Sequence, residues 1–127
     1  MMLTPNQVQS RLFDVHQHLA AAADSLKAAR DAEVQAEEAL TMARARAVLN
    51  DDCPKPKRGE NGVTVAARDA WVEQQIQDER FNAKVAESTR KAAEDRLRVV
   101  RDQASVVQSL ASLMRSEMSM AGSGGGA

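Results

Sequence analysis

Tyrosine is missing from the 127-residue chain, and Phe13, Trp71 and Phe81 are its only aromatic side chains. Aromatic rings bury the most surface per residue, so their scarcity excludes a conventional compact core and leaves packing through smaller side chains. The lone cysteine, Cys53, excludes an internal disulfide. Without a histidine near it in the chain, it reads as an incidental thiol rather than a nucleophile. No apolar run approaches the roughly 18 residues of a membrane span. The N-terminus has no basic segment leading into a hydrophobic one. A cytoplasmic protein without a membrane partner is therefore expected, in the host cytoplasm if the chain is viral. A net charge of −1 excludes a whole-molecule field, so any electrostatic function must come from local clustering.

Catalytic groupings are equally scarce. His16 and His18 stand two apart, and on a helix their rings point to different sides, whereas a helical metal pair needs a spacing of three or four. The glycines fall only in a central connector and in the tail, so no glycine loop is placed to cradle a phosphate. Asp51 and Asp52 follow a helix end and read as turn-formers, not as an acid/base pair. We expect no enzyme, no metal and no cofactor.

What is abundant is alanine, Glu/Gln, arginine and leucine, with 28% of residues charged, the profile of long helices and coiled coils. Thr4-Pro5-Asn6-Gln7 has the form of a capping box: a Thr cap, Pro at the first helical position and Gln three residues after the cap. From there Val8, Leu12, Val15, Leu19, Ala22, Leu26, Ala29, Glu33, Ala36, Leu40, Ala43 and Ala47 alternate steps of four and three, the spacing of a coiled-coil seam. Residues 50–63, with two prolines and two glycines, break the pattern as an exposed loop. The same alternation resumes at Val65 and runs through Asp69, Val72, Ile76, Glu79, Ala83, Ala86, Arg90, Ala93, Leu97, Val100, Ala104, Val107, Ala111 and Met114 to Met118. The chain thus reads as an N-terminal tail (1–3), a first helix (4–49), a basic loop (50–63), a second helix (64–120) and a flexible tail (121–127).

The expected fold is all-α, a long antiparallel helical hairpin with coiled-coil-like packing, its helices about 70 Å and about 85 Å long at 1.5 Å per residue. Alanine buries little surface, so such a hairpin is marginal alone and is expected to assemble with copies of itself, as a ring or as an open bundle. Val99, Val106, Leu110 and Leu113 widen the apolar arc of the second helix beside the main seam. Val100, Val106, Val107, Leu110, Leu113 and Met114 are therefore the expected interface between subunits. Charged seam residues Glu33, Asp69, Glu79 and Arg90 are expected to set register or to line a wet interior of the assembly.

One local charge cluster stands out. Arg44, Arg46, Lys55, Lys57, Arg58 and Arg68 outnumber Asp51, Asp52 and Glu60, giving residues 43–68 a net +3 in a chain of net −1. Arginine near a helix C-terminus and lysine in a loop have ordinary structural explanations. Repeated by symmetry, the same cations would form a phosphate-binding surface.

The order of features, Met42-Ala43-Arg44-Ala45-Arg46-Ala47 closing a long helix, a variable loop, Val63-Thr64-Val65 opening the next and Leu113-Met114-Arg115 near its close, resembles the UvsY-type recombination mediators of bacteriophages over roughly residues 40–120. The resemblance implies a small helical oligomer that binds single-stranded DNA, weakens the hold of a single-strand-binding protein and helps load a RecA-like recombinase. It also implies that Arg44 and Arg46, matching the family's basic-Ala-Arg step, contact DNA. The aromatic content is lower than in that family, which places phosphate contact ahead of base stacking. The competing reading is a structural or assembly coiled coil, such as a virion scaffold or tail chaperone, in which the basic residues do nothing. A secreted helical-hairpin effector fits less well, for want of the Tyr of its export signal and of a Trp-x-Gly turn.

Overall fold

The computed structural model describes residues 3–58 and 62–124, so Met1, Met2, part of the connector (59–61, including Glu60) and the end of the tail (125–127) lie outside the described residues. Three helices, α1 (Pro5–Leu49), α2 (Val65–Gln75) and α3 (Gln77–Gly124), follow one another along the chain. Among the described residues there is no strand, only an isolated parallel bridge between Pro56 and Val63 within the connector.

The starts of α1 and α2 are built from side-chain caps. The Gln7 amide N–H donates to Thr4 Oγ1 at 3.3 Å while the Thr4 amide donates to Gln7 Oε1 at 2.9 Å, so the capping box is closed in both directions. Thr64 caps α2 by accepting the Ala67 amide at 3.1 Å.

The chain divides into two compact units. In the first, Met1–Lys27 with Ala92–Ala127, the early part of α1 packs against the late part of α3. Ala22 and Leu26 are buried with Leu97 and Val100, flanked by Leu19 and Ala93. Val8 and Leu12 share a groove with Ala111 and Met114. Ascending α1 thus meets descending α3, an antiparallel pair.

The second unit, Ala28–Lys91, repeats that arrangement with the end of α1. Its core is Ala43, Ala47, Cys53, Val72 and Ile76, with Leu40 and Trp71 packed against it. Every seam position of α1 from Val8 to Ala47 is buried or half-buried, and so is every one from Val72 to Met114 on the other strand of the pair. Two of the charged seam residues meet each other. Arg90 Nε donates to Glu33 Oε2 at 2.6 Å, with both side chains largely covered. Asp69, by contrast, is exposed and pairs with its neighbour Arg68 at 3.4 Å.

Three expectations require correction. The second helix is not continuous from 64 to 120, because Ile76 leaves helical geometry at φ −109° and ψ 17°. Its amide still donates to the Val72 carbonyl at 3.2 Å and its carbonyl accepts from Arg80 at 2.9 Å, so the ladder bends without opening. A β-branched side chain crowds the preceding helical turn, and here the backbone relaxes while Ile76 sinks to 1% exposure. Helix α3 also runs on to Gly124, into the stretch expected to be a flexible tail. Third, the connector is not wholly exposed. Cys53 is 6% exposed and belongs to the core of its unit. Asn50 arranges this by accepting the Asp52 amide on its side chain at 2.9 Å and the Cys53 amide on its carbonyl at 3.0 Å, turning the chain back under α1.

Candidate nucleic-acid interface

All six cations singled out in the sequence fall within the second unit. They do not form one uniform patch. Arg46, Lys55, Lys57 and Arg58 are exposed and have no ion pair with any described residue. Arg44 and Arg68 line a common groove of about 400 Å³ with Val48, Asp69, Val72 and Glu73. There each faces a carboxylate: Arg44 stands 3.7 Å from Glu73, and Arg68 stands 3.4 Å from Asp69.

Glu73 is the least expected member of the site. Arg80, seven residues further on and beyond the bend at Ile76, donates from Nε and Nη2 to its two carboxylate oxygens, each at 2.6 Å. That fork geometry is the strongest way an arginine holds a carboxylate. Glu73 therefore sits between guanidinium groups from α1 and α3. The pairing joins the start of α3 to the sequence-derived basic cluster, which included neither Glu73 nor Arg80. The signal was weak, since a spacing of seven puts two residues on one helix face but does not say that they touch.

Beside this pair lies a groove of about 370 Å³ lined by Glu73, Gln77, Arg80, Phe81 and Lys84. The two aromatic positions of the unit differ sharply. Trp71 is half-buried against the Ala43–Ala47 core, whereas Phe81 is 67% exposed.

The residues expected at the subunit interface belong to the first unit and are divided by the chain's own packing. Val100 is buried in that unit's core, and Val107, Leu110 and Met114 are half-buried. Val106 and Leu113 stay open, at 60% and 61% exposure, with Val99 at 55% on the same face one heptad earlier. Val99, Val106 and Val107 also floor a groove of about 490 Å³ with Val15, rimmed by Arg11, Asp14, His18 and Asp102.

Among the described residues, no group of three or more His, Cys, Asp or Glu side chains is placed to hold a metal ion, and no helix is long and apolar enough to cross a membrane. Set against protein-family models, curated proteins and solved structures, the chain matches none.

Proposed function

We propose that this chain is a non-enzymatic, single-stranded DNA-binding protein that works as a homo-oligomer and acts as a recombination mediator. The observation that carries the DNA-binding part is the open state of Arg46, Lys55, Lys57 and Arg58, four exposed cations at the end of α1 and in the connector, none of them ion-paired with a described carboxylate. Unpaired surface cations gain most from a polyphosphate, because binding releases the small ions condensed on it. Arg44 and Arg68 stand beside them as paired cations that a phosphate chain would have to share with Glu73 and Asp69. The mediator role, with a RecA-like recombinase and a single-strand-binding protein as further partners, rests on the resemblance of residues 40–120 to UvsY-type proteins.

Binding is expected to be salt-sensitive and largely independent of sequence. Replacing Arg44 and Arg46 together with Ala should weaken binding of a labelled oligonucleotide in a fluorescence titration and lower the slope of log K against log salt by roughly 1.4, two phosphate contacts' worth on a single strand. The oligomer should survive the change. Unaltered affinity would show that the site lies elsewhere.

A second reading, a purely structural or assembly coiled coil, is favoured by the open apolar face of Val99, Val106 and Leu113. An oligonucleotide mobility shift at low and at high salt separates the two, because a structural coiled coil gives no shift at either.

A further inference from the structure

We propose that Phe81 is a stacking platform for an unpaired base, with Lys84 and Arg80 placed for the adjoining phosphates. This site rests on the single-stranded DNA reading and assigns to it a base-contacting residue that the basic cluster lacks.

Phe81 is 67% exposed in a chain that owns only three aromatic residues. Exposure alone decides nothing, since Phe13 is 63% exposed. The setting of Phe81 is what matters. It shares a groove with Gln77, Arg80 and Lys84. Gln77 lies four residues before it and Lys84 three after it on α3, the spacings that put side chains on one helix face. Arg80 is fixed by its two bonds to Glu73, so the cation beside the ring has a defined position. Arg44 and Arg80 both reach the one carboxylate that lines the groove, and Lys84 lines it as a further cation. The groove therefore attracts an anion while its apolar element is a flat ring.

A base has an apolar π-face that stacks on an aromatic ring whatever its identity, and the phosphates on either side of it need nearby cations. Gln77 offers an amide, donor and acceptor together, to the edge of whichever base is present. Trp71, the other aromatic of this unit, is half-buried against the Ala43–Ala47 core and leaves less of its ring open than Phe81 does.

The test uses the full chain with Phe81→Leu and Phe81→Trp, checked for unchanged thermal melting. The probes are a labelled oligothymidylate and an oligomer of equal length made of abasic sugar-phosphate units. Fluorescence anisotropy gives the affinities and sedimentation gives the mass. Leucine keeps the apolar volume and removes the π-face, so Phe81→Leu should weaken oligothymidylate binding by roughly fivefold to a hundredfold. It should leave binding of the abasic probe unaffected, and Phe81→Trp should retain oligothymidylate binding. Equal weakening on both probes, or none on oligothymidylate, overturns the stacking role while the DNA-binding reading stands. A fall in sedimenting mass with Phe81→Leu overturns it in favour of a contact between copies. Failure of the unaltered protein to bind either probe removes the DNA reading and this site with it.

Discussion

Cys53 holds the connector to the helix pair of its unit by burying a small, weakly polar side chain among Ala43, Ala47, Val72 and Ile76. Its Sγ has one polar neighbour, the Pro54 carbonyl at 3.7 Å. A serine there would bury a hydroxyl that demands more than that. Cys53→Ser should lower the unfolding free energy by about 1–3 kcal/mol, and Cys53→Ala by less, in urea melts followed by circular dichroism. The native thiol should also react with a disulfide reagent far more slowly than the thiol of the urea-unfolded chain. At the surface, Lys91 bonds Glu87 at 2.9 Å. Its hydrogen bond and charge hold the Glu87 carboxyl below the ordinary carboxylate range. Whatever this pair adds to stability is present above the ordinary Glu value and fades as pH falls through the lowered one.

Helix pairing was legible in the sequence because alternation of four and three is a backbone-periodic signal that survives even when the seam is mostly alanine. The cap at Thr4 was legible because a capping box is a local pattern. The bend at Ile76 was not, since no proline or glycine marks it and it follows from how one bulky side chain settles against α1. Nor was the pairing of Glu33 with Arg90, or the sharing of Glu73, because residues far apart in sequence give no sign of contact. The Glu33–Arg90 pair yields a test at this scale. Removing either partner as Ala should cost about 1–3 kcal/mol, below the full penalty for a buried pair because water still reaches both side chains. Replacing both with Leu should recover most of that loss. A double-mutant cycle in urea measures the coupling, and a coupling near zero would mean that the pair does not set register.

At the scale of the whole molecule, the described basic cluster belongs to one unit and the open face of Val99, Val106 and Leu113 to the other. The two can therefore be altered separately. Val106→Lys with Leu113→Lys should reduce the sedimenting mass at micromolar concentration while leaving the helix content unchanged, because neither side chain is buried in the subunit's own core. A mass unaffected by both substitutions would show that this face is not a contact between copies. If the mass falls, oligonucleotide affinity should fall with it, through loss of multivalency rather than of any single cation.

The two-sided hold on Glu73 carries a last implication. An incoming anion must compete with a carboxylate already in place for the guanidinium groups of Arg44 and Arg80. On the proposed function, a lone phosphate or chloride would gain little from that exchange, whereas a chain of linked charges would engage the unpaired cations of the same unit as well. The carboxylate would then be a threshold that favours a polymer over small ions.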